Sequence, residues 1–131
     1  MERSTKQFRK RNAILEVLRG TDTHPSAVMV HVMLRSEHPD ISLATVYRNL
    51  AWFKNQGMIQ SVATVRGIER FDANTDPHVH FICSGCDAVM DLHQIEVPLA
   101  LGEQCTDCRI DSCQLTFTGL CGNCQKANAS P

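Results

Sequence analysis

The chain has 131 residues with a formal net charge of −1, and it contains no apolar run long enough for a membrane span or a signal sequence. Its length allows one domain or two small ones, and we expect a cytoplasmic protein. The seven cysteines are an odd number and begin only at Cys83, which favours metal binding in a reducing compartment over a secreted disulfide scaffold.

The near-neutral total conceals opposite charges in the two halves. Residues 1–72 carry eleven Lys or Arg against seven Asp or Glu, net +4, whereas residues 73–131 carry two against seven, net −5. The first half is therefore suited to a polyanion such as DNA, and the second would repel one. Charge alone would also fit ordinary solvated surface.

Three helices are predicted in the first half. Ser4, Ser26 and Ser42 are their predicted N-caps, the first helix runs to about Arg19, and Gly57 closes the third. In the second helix, the apolar spacing predicts a buried side made of Val28, Met29, Val32 and Met33.

The pattern changes after the third helix. Residues 58–65 and 68–71 are β-rich runs joined at Arg66-Gly67, which predicts a hairpin. Three short helices and a hairpin are typical of a winged helix-turn-helix, whose last helix enters the major groove. The same helices could instead form a protein-interaction domain. If DNA is the partner, the predicted contact residues are Arg11, Ala44, Thr45, Tyr47 and Arg48.

The second half contains too little core to fold without a metal, a partner subunit or both. Two Cys-x-x-Cys pairs can close a tetrahedral site of four thiolates for structural zinc; the alternative is free buried thiols. These residues are Cys83, Cys86, Cys121 and Cys124.

Between the two pairs, strands are predicted over 88–92 and 109–118, and Pro98 limits any helix within 94–102. Residues 125–131 are predicted to be a frayed tail. A small sheet with edge strands indicates a dimer surface, because two protomers can join their sheets.

A second kind of metal ligand occupies the same stretch as the first cysteine pair. His78, His80, Asp72 and Asp91 combine imidazole with carboxylate, which suits iron, manganese or zinc and can leave a coordination position open. Each aspartate taken alone would be an ordinary turn or strand-end acid.

At this point the chain resembles a known family. Residues 42–50 (Ser-Leu-Ala-Thr-Val-Tyr-Arg-Asn-Leu), His78-x-His80 and the two Cys-x-x-Cys pairs, in this order, resemble the ferric uptake regulator family of bacterial metal-dependent repressors. The resemblance covers nearly the whole chain. It implies an α+β fold, with an N-terminal winged helix-turn-helix domain (1–72) followed by a small C-terminal α/β dimerisation domain (73–131). It also implies a homodimer, a double-stranded DNA operator, structural Zn²⁺ and a regulatory Fe²⁺ or Mn²⁺.

Within the family, the chain is most similar to the peroxide-responsive repressor branch. The resemblance implies that bound Fe²⁺ reacts with hydrogen peroxide and oxidises His24 or His78 to the 2-oxo form. A metal held by ligands from both domains would fix their angle and favour the DNA-competent dimer. The regulatory ligands carried over from the branch are His24, Asp72, His78, His80 and Asp91.

Other functions remain open at this stage. An iron- or zinc-sensing uptake repressor of the same family would have a similar pattern, although iron-sensing relatives more often place glutamate at the position of Asp72. A zinc- or thiol-dependent enzyme is a remote alternative, because the sequence lacks a deaminase-type His-x-Glu pairing and a thioredoxin-like context around Cys83. We therefore expect no enzymatic activity, and an AT-rich inverted repeat as the DNA target.

Three further cysteines depart from the family pattern: Cys105, Cys108 and Cys113. They could be small residues of a loop or strand, ligands of a third site or exchangeable zinc ligands, or a thiol switch that joins Cys105 to Cys108.

Overall fold

The computed structural model describes residues 2–96, 107–110 and 113–129. The chain divides into two units, Met1–Thr75 and Asp76–Pro131. The sequence places the boundary three residues earlier, after Asp72. None of the helices in these described ranges is both long and apolar enough to cross a membrane.

The first unit contains three helices followed by a two-stranded antiparallel hairpin, as the winged-helix prediction requires. Its elements are α1 (Glu2–Arg19), α2 (Ala27–Leu34), α3 (Leu43–Asn55), β1 (Gln60–Val65) and β2 (Ile68–Asp72).

Two of the three predicted N-caps are confirmed. The Ser26 hydroxyl accepts a hydrogen bond from the Met29 N–H, and the Ser42 hydroxyl accepts one from the Thr45 N–H. The prediction for Ser4 is wrong, because α1 begins at Glu2, ahead of it. Glutamate and arginine are good helix formers, so the helix continues through the positions that precede the serine.

The buried face of α2 was also predicted wrongly. The side chains that enter the core are Ala27, Val30 and Leu34, whereas the four predicted core residues are exposed by 37% to 53%. The helix is apolar on nearly every side, so periodicity could not select a face; α1 and α3 pack on the Val30 side. The rest of the core includes Ile14, Leu18, Val46, Leu50, Phe53 and Phe71.

The hairpin turn follows the prediction. Arg66 and Gly67 both have a left-handed backbone, with φ of 52° and 80°, the conformation that two-residue hairpin turns prefer. The first strand starts at Gln60, two residues later than predicted. The second strand ends at Asp72, one of the expected metal ligands.

The second unit is built on a three-stranded sheet. Its elements are β3 (Val79–Cys83), β4 (Val89–Leu92), β5 (Leu115–Gly119) and α4 (Gly122–Ala129). The strand order is β4-β3-β5, with β4 antiparallel and β5 parallel to β3. The chain thus has the predicted α+β fold.

Two predictions in the second unit are corrected. The later strand begins only at Leu115, and Arg109 and Ile110 are irregular. The prediction of a frayed tail over 125–131 is wrong as far as Ala129, because α4 includes residues 125–129. Gln125, Lys126 and the alanines tolerate a helix, and the N–H of Gln125 bonds the carbonyl of Cys121 to start it. The Pro98 region, 97–102, lies outside the described residues.

Candidate metal centres and nucleic-acid interface

The four cysteines of the two pairs meet in the second unit. Their sulfur atoms all lie within 4.8 Å of one another, and the Cys86 and Cys121 sulfurs are 3.9 Å apart. Four thiolates about 2.3 Å from one zinc ion would be separated by about 3.8 Å, so this set fits a tetrahedral zinc. None of the four is in a disulfide.

Strand pairing brings the two cysteine pairs together. Cys83, the last residue of β3, lies opposite Gly119 of β5, only two residues before Cys121. The N–H and hydroxyl of Ser84 both donate to the Gly119 carbonyl, at 2.7 and 3.1 Å. The β3–β5 ladder therefore brings together Cys86 and Cys121, which are 35 positions apart in the sequence.

Backbone amides prepare one of these thiols to ionise. The N–H of Cys121 donates to the Cys83 sulfur at 3.3 Å, as does the N–H of Gly85, and together with other local hydrogen bonds they lower the pKa of Cys83 to about 6. The neighbouring Cys83 sulfur raises the pKa of Cys124 to about 12. A bound dication would supply the positive charge that four adjacent thiolates need.

Gly85 lies between the cysteines of the first pair and leaves room for the second pair. A Cβ atom at this position would lie 2.8 Å from the Cys124 sulfur and 3.1 Å from the Cys124 Cβ. The first distance is shorter than real Cβ contacts and the second is tighter than most of them, so any larger residue at this position would force Cys124 to shift.

A second group of ligands lies at the other end of the β3–β4 pair. His80 and Asp91 are direct cross-strand partners, and His78 lies two residues before His80. Oδ1 of Asp91 is 3.0 Å from Nε2 of His78 and 3.4 Å from Nε2 of His80. Ligand atoms about 2.1 Å from one ion lie about 3 to 4 Å apart, so each of these two histidine nitrogens is close enough to Asp91 to share an ion with it.

Hydrogen bonding orients the His78 ring. Its Nδ1 lies 2.6 Å from the carbonyl oxygen of Asp76, which can only accept, so Nδ1 carries the proton. Nε2 is then the ring nitrogen that remains for a metal ion, and it faces Asp91. This is the arrangement in which metal-binding histidines are usually held, with the distal nitrogen donating to a carbonyl.

The first unit contributes its own pair of candidate ligands. Nδ1 of His24 lies 3.8 Å from Oδ2 of Asp72, and both side chains are buried. The other carboxylate oxygen, Oδ1, accepts a hydrogen bond from the N–H of Asn74 at 2.9 Å, which turns Oδ2 toward the imidazole. His24 and Asp72 are 48 positions apart, so the fold of the first unit brings them together.

The predicted DNA-contact residues lie on one side of α3 and on α1. Ala44, Tyr47 and Arg48 are exposed and Thr45 is half-buried, while Val46, Leu50 and Phe53 hold the opposite side in the core. Arg11 extends from α1 toward α3, where its Nε donates to the Asn49 side-chain oxygen at 3.1 Å.

Arg11 and α3 together form a polar groove that the sequence did not predict. The Arg11 guanidinium carbon lies 3.9 Å from the centre of the Trp52 ring, a stacked cation–π geometry. The groove has a volume of about 370 Å³ and is lined by Gln7, Lys10, Arg11, Thr45, Arg48, Asn49 and Trp52. The signal that could have found it is Trp52, which follows Asn49 by three residues on the exposed side of the predicted helix.

The extra cysteines do not join the four-sulfur cluster in the described residues. Cys113 is exposed and is not in a disulfide. Cys108, in the short described stretch 107–110, is disulfide-bonded, and Cys105 lies outside the described residues. The alternatives for these three residues stay as predicted.

Comparison with known proteins accounts for this combination of sites. The profile of the ferric uptake regulator family matches residues 2–118. The chain belongs to the ferric uptake regulator family. It is therefore a metal-dependent transcriptional regulator, and the resemblance seen in its sequence is confirmed.

Among curated members of the ferric uptake regulator family, the chain is similar to peroxide-responsive repressors. It is 35% identical over 118 residues to the peroxide-responsive repressor PerR of Staphylococcus saprophyticus, covering 88% of this chain and 80% of that protein. With PerR of Staphylococcus epidermidis it shares 32% identity over 119 residues, covering 89% and 79%.

Several solved structures share the fold. The Campylobacter jejuni peroxide stress regulator matches with a TM-score of 0.79 at 23% identity, covering 94% of both chains. The Vibrio cholerae ferric uptake regulator matches with a TM-score of 0.67 at 27% identity, covering 86% of this chain and 88% of that one. A zinc uptake regulator complexed with zinc and DNA matches with a TM-score of 0.61 at 24% identity, covering 92% and 83%.

Proposed function

We propose that this ferric uptake regulator family member is a cytoplasmic, homodimeric repressor that leaves its operator when hydrogen peroxide oxidises a metal ligand. The observation that carries the proposal is the chemistry of the donor set. Three imidazoles and two carboxylates, without a thiolate, suit Fe²⁺ or Mn²⁺ and differ from the four-thiolate zinc cluster in the same chain. The 35% identity to a peroxide-responsive repressor supports the same function.

In this proposal, one regulatory ion takes ligands from both ligand groups. His24 and Asp72 come from the DNA-binding unit, and His78, His80 and Asp91 come from the dimerisation unit. An ion bound by both groups favours whichever arrangement of the units brings them together. The ion shifts the equilibrium between the arrangement with the two ligand groups together and the one with them apart. The size of the shift is limited to the difference in its affinity for these two arrangements.

Fe²⁺ held by these residues would supply the redox chemistry by which hydrogen peroxide oxidises an adjacent histidine ring by two electrons: one peroxide oxygen would be added to the ring as the 2-oxo form, and the other would leave as water. His24 and His78 are the proposed targets. Within its own unit, each has a ring nitrogen directed at a carboxylate, Asp72 for His24 and Asp91 for His78. A 2-oxo ring is a poorer ligand, so that histidine no longer binds the ion. The repressor is then released from its operator.

The proposed structural cofactor is Zn²⁺ on Cys83, Cys86, Cys121 and Cys124. It stabilises the unit that would form the dimer and takes no part in sensing. We propose no enzymatic activity, since the ligand groups are accounted for by metal-dependent regulation. The alternative is an iron- or zinc-sensing uptake repressor with the same fold and partners.

One experiment separates these functions. Operator binding is measured by fluorescence anisotropy with Fe²⁺, Mn²⁺ or Zn²⁺ at the regulatory site, with and without hydrogen peroxide, and the protein is then analysed by peptide mass spectrometry. We expect release only from the Fe²⁺ form, together with one added oxygen atom on the peptide of His24 or His78. Release without an added oxygen, or a response to zinc alone, would contradict peroxide sensing.

The operator is proposed to be an AT-rich inverted repeat, read by α3 from each protomer. Tyr47 would contact bases, Arg48 bases or phosphate, and Arg11 phosphate. Ala44 and Thr45 lie in the first turn of the same helix, near its positive dipole end, which favours phosphate.

Trp52 is predicted to strengthen this contact by stacking on Arg11. Replacing Trp52 by alanine should weaken operator binding by about two- to fivefold, because exposed cation–π contacts contribute about 0.5–1 kcal/mol. Trp52→Phe should retain most of the affinity. Fluorescence anisotropy against salt should show an unchanged salt slope for both variants and a slope reduced by about one for Arg11→Ala.

The matched control is Met33→Ala, which removes an apolar side chain of similar exposure from α2 of the same unit. Its operator affinity should equal that of the unmodified protein. Equal losses in Trp52→Ala and Met33→Ala would contradict a specific role for the Arg11–Trp52 stack.

A further inference from the structure

Arg70 is a buried arginine in the middle of β2, and it is bonded to the loop that carries His24. Its exposed fraction is 9%. Nε donates to the carbonyl oxygen of His24, and Nη2 donates to the carbonyl oxygen of Thr23 at 2.9 Å. A buried guanidinium is costly unless its donors find acceptors, and here the rigid fork spans two consecutive carbonyls.

Three consecutive residues of β2 contact this loop. Arg70 bonds the carbonyls of Thr23 and His24, the N–H of Phe71 donates to the Pro25 carbonyl at 3.1 Å, and Asp72 directs its carboxylate toward the His24 ring. The strand thus fixes the backbone on both sides of His24 and also supplies its neighbouring ligand.

The backbone of His24 needs such support. Its φ is 52°, a left-handed conformation that residues other than glycine rarely adopt. Hydrogen bonds to the carbonyls of residues 23 and 24 hold the peptide planes on either side of the His24 Cα. This backbone conformation sets the direction of the Cα–Cβ bond from which the imidazole extends.

We propose that Arg70 is a positioning residue for the regulatory metal, because it locks the His24 backbone in the conformation that directs the imidazole at Asp72. The inference rests on the proposed role of His24 as a ligand. It adds a residue that would not touch the ion itself and that is not part of the ligand pattern.

The test uses Arg70→Lys in the full-length, zinc-loaded protein, with Mn²⁺ as the probe since it supports binding without peroxide chemistry. Lysine keeps the charge but lacks the fork that bonds two carbonyls. We expect Mn²⁺ affinity to fall by about 10- to 100-fold, the usual effect of losing a residue that orients a ligand. The Mn²⁺ electron paramagnetic resonance spectrum should broaden, and zinc content should stay unchanged.

A double-mutant cycle distinguishes positioning from a general loss of stability. If Arg70 acts through His24, Arg70→Lys should cause no further loss of Mn²⁺ affinity in a His24→Ala background. Equal losses in both backgrounds would overturn the inference. The matched control is Lys54→Met, which breaks the 2.8 Å ion pair between Lys54 of α3 and Glu69, the residue before Arg70 in β2. This variant should leave Mn²⁺ affinity unchanged.

The outcomes for the two proposals are separate. If His24→Ala leaves Mn²⁺ affinity unchanged, the ligand role of His24 and the proposed function fail. If His24→Ala weakens binding but Arg70→Lys does not, only the positioning role fails. Should Arg70→Lys not fold, Arg70→Gln, which keeps one donor, takes its place with the same expected non-additivity.

Discussion

Replacing Cys121 by serine should release the structural zinc and unfold the second unit. Among the described residues, the buried apolar side chains of this unit are only Val79, Cys83 and Val89. So small a core cannot offset the entropy of ordering the unit, and structural zinc typically contributes about 10–16 kcal/mol of apparent binding free energy. Bound zinc, measured by elemental analysis, should fall from one per chain to about zero.

The same variant should lose the dimer, because the dimer surface is proposed to lie in the unit that unfolds. Thermal unfolding followed by circular dichroism should show loss of the sheet signal, with the helical signal of the first unit retained. Size-exclusion chromatography with light scattering should report a monomer. A zinc-loaded dimer of Cys121→Ser would contradict the assignment of this cysteine as a ligand.

Two further variants test whether the loss of zinc is specific to the missing thiolate. Cys113→Ser changes an exposed cysteine of the same unit that is not in the cluster, and it should leave zinc content and melting temperature unchanged. Gly85→Ala keeps all four sulfurs but places a methyl group 2.8 Å from the Cys124 sulfur. It should weaken zinc retention against a chelator while leaving the ligand chemistry intact, so the effect of packing is separated from the loss of a thiolate.

Replacing Asp91 by asparagine should abolish metal-dependent operator binding and leave the zinc cluster loaded. One oxygen of Asp91 lies within 3.4 Å of Nε2 of both His78 and His80, so this carboxylate is at the centre of its ligand group. Asparagine preserves the shape but removes the negative charge that a divalent ion needs. We expect Mn²⁺ affinity to fall by more than about 100-fold, beyond the usual effect of losing a supporting residue.

The measurement combines Mn²⁺ titration by electron paramagnetic resonance with operator binding by fluorescence anisotropy. Asp107→Asn is the matched control, because it removes one carboxylate from an exposed position of the same unit. It should bind Mn²⁺ and operator like the unmodified protein. Metal-dependent operator binding by Asp91→Asn would show that this aspartate is not a regulatory ligand.

Much of the fold was predictable wherever the determinant is local. Ser26 and Ser42 accept hydrogen bonds from amides three residues later, and Arg66-Gly67 adopts the left-handed turn that a two-residue hairpin requires. These features depend on the side chains and backbone of a few neighbouring residues. The local rule failed at Ser4 because good helix formers precede it.

Periodicity failed where the pattern itself is ambiguous. The eight residues of α2 are nearly all apolar, so every face looks like a buried one, and contact with α1 and α3 selected Ala27, Val30 and Leu34. The tail of the chain was predicted to be frayed, yet α4 forms there directly after Cys121 and includes Cys124. At α2, distant parts of the chain decided the outcome, whereas α4 begins with a local hydrogen bond from the Gln125 N–H to the Cys121 carbonyl.

The sequence by itself determined which chemistry the chain has. The types of ligand, four thiolates in two pairs and a separate set of imidazoles and carboxylates, follow from residue identity and spacing. Their family pattern led to a metal-dependent regulator. This was possible because metal preference depends on donor atoms, which the side chains carry wherever they lie.

Only the tertiary structure decided how the donors are held. The β3–β5 ladder closes a gap of 35 residues between Cys86 and Cys121, and β2 places Arg70, Phe71 and Asp72 against the loop of His24. Arg70 could not be identified from the sequence, because its partners are backbone carbonyls, which every residue has. Those bonds depend on a contact across 46 positions, and that proximity exists only once the chain has folded.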